Sequence, residues 1–484
     1  MSRVALDRMK RLDRTTLPML AARGVRTPQY DCTRVRTGVL HFGPGAFHRV
    51  HQACYLDDAL TSDPRWGVAQ VSLHSASVRD ALADQDRLYT IAVLDEASSY
   101  RVVGAVTEIL VAPEAPEAVL ARLADPAIAL VTITVTEKGY CLGADGGLDV
   151  SHPDIAHDLA HPHAPRSLIG YLAAGLGRRF QAGLAPPNVL SCDNLTDNGG
   201  RLRRAVLEFS RRVDRELAAR IAAEVAFPCT MVDSITPATD DALRARVAEH
   251  LGLEDRWPVQ REAFMQWVVE DVMRGPQPDW AALGVTVTDD VAAFERAKLR
   301  LLNGAHSTLA YMGSLAGRET VADAMRDPSL AQFVRTLMTE DIAPSLTAPR
   351  GLDIARYIDA ILQRFRNPAL RHLLSQIAWD GSQKLPFRLM GAIRDALEAG
   401  RPIDRLCAPL AAWMHFVRRK ALQGERLADP LASQLLAIGL ACTGDASRDV
   451  QQFLGLEAVF PPDLARRTEF IGATMQAYRR LANA

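Results

Sequence analysis

The sequence predicts an α/β protein in two parts, an N-terminal Rossmann-type doubly wound sheet over residues 1–285 and a mostly α-helical C-terminal domain over residues 286–484. Three observations predict it. Short β-branched runs alternate with helix-like stretches in the first part, the arrangement that builds a parallel sheet. Apolar residues at three- and four-residue spacing take over near residue 285. At 484 residues, 48% hydrophobic and 23% charged, the chain has material for two or three domains, each with its own core.

In chain order, Gly38–Phe42, Gly67–Leu73, Ile128–Val135 and Asn188–Ser191 read as buried strands, each followed by a helical stretch. Tyr89–Val93 and Tyr100–Val103, split by the polar Asp95–Ser99, read as a hairpin inserted in that sheet. After residue 285, Val291–Leu315, Leu352–Phe365 and Leu464–Leu481 carry a helical apolar period. Prolines at 328, 344, 349, 368, 402 and 430 punctuate them as helix boundaries. No internal repeat or low-complexity tract interrupts the pattern.

Composition narrows the function classes. Fifty-six basic against 57 acidic side chains give a formal charge of −1, which offers no electrostatic footprint for nucleic acid or an acidic membrane. The longest uncharged apolar run, Leu431–Thr443, is too short for a bilayer span of about 20 residues. Met1–Lys10 carries Arg3, Asp7, Arg8 and Lys10 in place of the apolar stretch of a secretory signal, so a cytoplasmic location is expected. The seven cysteines lie far apart with no Cys-x-x-Cys pair, which suits reduced thiols rather than a zinc site. No heptad run is present, and a monomer is expected.

Gly43-Pro44-Gly45 ends the first predicted strand just before a helix. There a dinucleotide pyrophosphate can sit on backbone amides that only glycine lets approach. His48 stands where a third glycine belongs, and Gly-x-Gly alone also marks an ordinary tight turn. The second strand ends in Val71-Ser-Leu-His-Ser-Ala76, without the acidic residue that holds a ribose diol. Arg79 reads either as a partner for a 2′-phosphate or as a solvated helix-start arginine.

Hydride transfer from an alcohol needs a group to take the hydroxyl proton. His152, His157, His161 and His163 fall within twelve residues, but Pro153, Pro162 and Pro165 interleave them and no Cys or Glu joins. They read as a polar surface loop rather than a zinc site. None of the nine tyrosines opens a Tyr-x-x-x-Lys dyad. The segment Phe294–Ser307 offers a third solution, with Lys298 about two turns upstream of His306, and Asn303 and His306 on one helix face. A buried lysine can serve as a base near neutral pH, and amide donors can stabilise an alkoxide. The other account of the same spacing is a solvated helix start.

Taken together and in order, six segments resemble the polyol-specific long-chain dehydrogenase family, which includes mannitol 2-dehydrogenase and fructuronate reductase. They are Gly43–Ala53, Thr136–Tyr140, Ser191–Leu195, Phe227–Asp233, Lys298 with Asn303 and His306, and Asp380–Pro386. The resemblance spans nearly the whole chain. It implies a metal-free NAD-dependent oxidoreductase of a secondary alcohol, with NADP(H) less preferred. Lys298 matches the general base, Asn194 and Asn303 the paired amides on the reacting oxygen, and Glu295 an acid gating proton exchange. His306, Asp233 and Lys384 match substrate-side contacts, while Gly43, Gly45, Ala46, Phe47, Arg49 and Thr136 match the cofactor site.

The chain departs from the family pattern at Ser234 and His74, where arginine is expected, and at Gln376, where some polyol members carry arginine. Glu137-Lys138-Gly139-Tyr140 and Gln383–Pro386 look more like the hexuronate reductase branch. A sugar acid brings a carboxylate that an ammonium such as Lys138 can pair with; a surface lysine at a strand end is the other account of Lys138. The implied reaction is D-mannonate to D-fructuronate. Mannitol or arabinitol oxidation is the nearest alternative. A 6-phosphogluconate-dehydrogenase-like decarboxylase needs an arginine cluster that the sequence does not show, and a non-catalytic NAD-binding protein would leave Lys298 dispensable.

Overall fold

A computed structural model describes residues 9–95, 97–143 and 145–482. The expectation for the amino terminus therefore falls largely outside the described residues. The chain divides into two compact units, the first ending at Ala292 and the second starting at Ala293.

The first unit is built on five parallel strands, β1 (Thr37–Phe42), β2 (Gly67–Ser72), β5 (Val106–Val111), β6 (Leu130–Ile133) and β7 (Asn188–Ser191), in the order β5-β2-β1-β6-β7. Alternate residues feed two cores. Leu40, Phe42, Ala69, Val71, Val131 and Ile133 pack on one face with the helix Leu168–Gln181. Val39, Val68, Leu130 and Leu190 pack on the other. Burial on both faces is why these strands read as continuous apolar runs. β6 stops short of the expected Val135 because the amides of Val135 and Thr136 donate to the Asp193 carboxylate at 3.1 and 2.9 Å instead of to a neighbouring strand.

The predicted hairpin is present as β3 (Tyr89–Leu94) and β4 (Ser99–Val103), antiparallel, but it is not inserted in the parallel sheet. The next strand, β5, takes the edge beside β2, and the hairpin forms a separate sheet in which β9 (Val259–Glu262) runs parallel to β3. Leu88, Ala92 and Val102 give that hairpin its own core with the helix Asp241–Leu251. A third sheet joins β8 (Thr230–Asp233), β10 (Gln266–Glu270) and β11 (Thr286–Thr288). The β10–β11 pairing keeps residues 286–288 with the sheet-bearing unit.

The second unit is helical. Its longest helix, Asp404–Leu422, packs against Gly304–Leu315, Ala432–Ala441 and Thr468–Ala482. Pro328 starts the helix Pro328–Thr336 at its first position, where its missing N–H costs nothing. Among the described residues no helix is long and apolar enough to cross a membrane.

Candidate active site

In the first unit, the strand order reverses between β1 and β6, and loops at their carboxyl ends open a crevice of the kind that binds ligands in such sheets. A cavity of about 610 Å³ lies there, lined by Gly43–Gly45 after β1, Ser72–Ser75 after β2, Thr134–Thr136 after β6, and Lys138. Gly43 has φ +94°, and a Cβ on it would lie 2.0 Å from the Thr134 carbonyl oxygen, so no other residue fits the turn. Gly45 has nothing within 4 Å of a built Cβ and leaves backbone open at the cavity, the cradle a pyrophosphate needs.

His48 takes the position of the missing glycine. It is fully buried and stacks on His41 of β1, ring centroids 3.3 Å apart. His41 Nε2 donates to the Gly43 carbonyl at 2.9 Å, and its Nδ1 accepts from Thr132 Oγ1 at 2.8 Å. Burial lowers its pKa to about 3. The contact that a third glycine makes between helix and strand is here a pair of neutral imidazoles.

The other expected cofactor residues divide. Thr136 lines the cavity with φ +66°, a strained backbone for a β-branched residue. Ala46 and Phe47 pack on the core. Arg49 is 1% exposed, lies between the Tyr89 and Trp257 rings, and donates to the Trp257 carbonyl at 2.9 Å. It braces Trp257, itself a lining residue, and is not at the cavity surface. Arg79 is paired with Glu114 and with Asp80 at 2.8 Å, so its charge is already matched. His152 to His163 are not simply a surface loop. Pro153 opens the helix Pro153–Ala160 with His152 as its cap, and buried Asp158 ties that helix to the backbone of Arg166 and Ser167 at the cavity rim.

Sequence reasoning passed over Asp193. Besides the two loop amides, its carboxylate accepts from Tyr140 Oη at 2.7 Å, and Tyr140 also bonds Ser191. These bonds clamp Thr136–Tyr140 beside β7; burial still raises the Asp193 pKa. The residue lies inside the Ser191–Leu195 motif, beside Asn194, whose amide is the motif's more obvious chemical signal. Asn194 is exposed on the loop after β7, and Asp233 is the buried last residue of β8.

In the second unit, Val291–Leu315 is not one α-helix. Val291–Ala297 and Gly304–Leu315 are α-helical, and Lys298–Asn303 between them is a π-helical turn. In an α-helix, at about 100° per residue, position 303 would sit roughly 140° around the axis from position 298. The wider turn that i→i+5 bonding makes brings the two back to the same side of the axis. Lys298 is 8% exposed and Asn303 is partly buried. Glu295 precedes the lysine by three residues on the same face. His306, one turn on, is buried against Phe365 and His372, with ring centroids at 4.5 and 5.0 Å. Burial pushes its pKa well down, so the ring is neutral.

Two further π turns, Leu337–Ile342 and Pro386–Met390, pack on this segment. A Cβ on Gly304 would meet the Arg388 carbonyl oxygen at 3.3 Å, a close approach that glycine permits. Lys384 lies just before that turn and donates to the Trp379 carbonyl at 2.5 Å; burial lowers its pKa. In the same motif a Cβ on Gly381 would collide with Tyr311 and Trp413, and Ser382 binds Asp429. Gly381 and Ser382 of the Asp380–Pro386 motif therefore serve the packing.

Family models for the mannitol dehydrogenase Rossmann domain and C-terminal domain match residues 37–282 and 290–482. The chain belongs to the mannitol dehydrogenase family. It is an oxidoreductase of that family. A D-mannonate oxidoreductase of Escherichia coli K12 is 40% identical over 94% of this chain and 96% of its own length. A mannitol 2-dehydrogenase of Phaeosphaeria nodorum is also 40% identical, over 89% and 79%. Among solved structures, a Pseudomonas fluorescens mannitol 2-dehydrogenase in ternary complex with NAD and D-mannitol matches with TM-score 0.81 and 35% identity, covering 98% and 97% of the two chains. A D-sorbitol dehydrogenase matches with TM-score 0.91 and 32% identity, covering 98% of each.

Proposed function

We propose that this oxidoreductase transfers hydride reversibly between NAD(H) and a secondary alcohol of a sugar acid, D-mannonate to D-fructuronate, with Lys298 as base. The observation that carries the mechanism is the π turn, which holds a buried lysine and an amide five residues apart on one side of a helical rod. The Gly43 turn and the open backbone at Gly45 fit a dinucleotide, with Thr136 and Lys138 beside it. When bound, NAD(H) supplies or accepts the hydride.

The protein's own groups handle the proton and the oxygen. Lys298 takes the hydroxyl proton as the carbinol becomes a ketone and returns it in reduction. The Asn303 and Asn194 amides donate to the oxygen as negative charge gathers on it. Glu295 relays the lysine's proton to solvent. Neutral His306 and buried Asp233 hold substrate hydroxyls.

Equal identity to a mannitol 2-dehydrogenase keeps a neutral polyol as the second reading. An assay of NADH and NADPH oxidation with fructuronate, tagaturonate, fructose and xylulose decides between them. The sugar-acid reading expects fructuronate to be reduced fastest, with NADH preferred. Efficient reduction of fructose with none of fructuronate overturns it.

A further inference from the structure

We infer that Arg388 is the group that recognises the substrate's carboxylate, and so sets the preference for sugar acids over neutral sugars. The inference rests on the sugar-acid reading above and names a residue that the sequence motifs did not.

Lys138, Lys384 and Arg388 are candidates for that task, whereas buried Arg364, which also acts on His306 and His372, has partners of its own. Lys138 is exposed beside the glycine turn, at the cavity where the dinucleotide fits. Lys384 spends its ammonium on the Trp379 carbonyl, and Asp380 and Asp429 act on it electrostatically, so its charge is offset within the protein. Arg388 differs from both. Among the described residues no carboxylate lies within ion-pairing distance of it. Its Nη1 donates to Ser307 Oγ at 2.9 Å and to the Asn303 carbonyl at 3.4 Å, both neutral acceptors. It is largely buried, burial disfavours its charged form, and its charge in turn disfavours the protonated forms of both His306 and Lys384.

A largely buried guanidinium without an anion is costly unless something supplies one. A second observation, independent of charge, points to the same place. His306 Nε2 and His372 Nδ1 are buried ring nitrogens with no hydrogen-bond partner. His306 is 7% exposed, and its ring meets that of His372 edge-on at 5.0 Å. Buried polar atoms left this way ask for a ligand group. Neutral imidazoles suit hydroxyls, and the guanidinium suits a carboxylate in bidentate geometry.

The spacing agrees with a six-carbon substrate. In fructuronate the carboxylate is four carbon–carbon bonds from the ketone, roughly 5 Å when extended. Arg388 is tied to Asn303 and to Ser307, residues one helical turn of about 5.4 Å apart. A ketone oxygen held by the Asn303 amide leaves the far end of the substrate within a turn of the guanidinium.

The test compares kcat/KM for fructuronate and for fructose, with NADH, in the full-length protein and three variants. Arg388→Met should lower the fructuronate-to-fructose ratio by about 10- to 100-fold, chiefly through the fructuronate KM. Arg388→Lys should recover part of that ratio. Ser307→Ala removes the local hydrogen bond but not the charge, and should leave the ratio as it is. Equal losses on both substrates in Arg388→Met, or a wild-type ratio in that variant, overturn the assignment. Failure of the sugar-acid reading itself would appear separately, as a wild-type protein that reduces fructose and not fructuronate.

Discussion

Gly43 and Gly45 sit two residues apart in one turn and answer to different constraints. At Gly43 both the φ of +94° and the 2.0 Å approach of the Thr134 carbonyl forbid a side chain. At Gly45 the space is open and only a ligand's approach demands glycine. Gly43→Ala should therefore cost about 1–3 kcal/mol of stability and abolish NADH binding. Gly45→Val should melt within about 0.5 kcal/mol of wild type yet bind NADH weakly. Thermal melts with an NADH titration check both; unchanged affinity in folded Gly45→Val would remove the turn from the cofactor site. Lys298→Ala should lower alcohol oxidation by about two to four decades while retaining NADH binding. Asn303→Ala should cost about 3 kcal/mol of transition-state stabilisation, and the double variant less than the sum, since both groups act on one oxygen. Single-turnover oxidation rates test this, and near-wild-type oxidation by folded Lys298→Ala would end the lysine mechanism.

At the scale of elements, residue types announced the chemistry, but not the geometry that serves it. Lys298, Asn303 and His306 were legible as a set, whereas the π turn was not, because Leu301, Leu302, Ala305 and Leu309 stay buried through it and continue an apolar face that reads as plain α-helix. Arg388 was illegible for a related reason. It lies on a different turn from Asn303, 85 residues on in sequence, and joins it only through packing. The Thr136–Tyr140 turn shows the same limit, since its strained Thr136 is held by an aspartate from the loop after β7. Asp193→Asn replaces an all-acceptor carboxylate facing three donors with a group that can accept on one side only. It should cost about 1–3 kcal/mol and raise the NADH KM several-fold, with a smaller effect on the chemical step. Steady-state kinetics with varied NADH would distinguish this from a loss confined to kcat.

For the whole molecule, the two textures of the sequence were enough to read the parallel sheet and the helical second part. Strands buried on both faces look apolar throughout, and helix periods survive any packing arrangement. The small sheets were harder: β8, β9 and β10 are short, carry polar residues such as Gln260, Arg261 and Gln266, and find partners far away in sequence. The main sheet carries a further consequence for stability, because His41 sits in it neutral and fully buried. Its pKa of about 3 in the fold lies below the ordinary value of about 6.5. Between those values the unfolded chain binds a proton that the native state refuses, so stability falls as pH drops below about 6.5 and continues to fall toward 3. At pH 5.5 the loss from this one residue is about 1.4 kcal/mol. His48 and His306, whose pKa values burial also pushes down, act in the same direction. Melting temperatures measured at pH 7.5 and 5.5 should thus fall more steeply with acid for wild type than for His41→Gln, which can replace hydrogen bonds but not titrate. Parallel slopes for the two proteins would mean that His41 does not sense the acid limb.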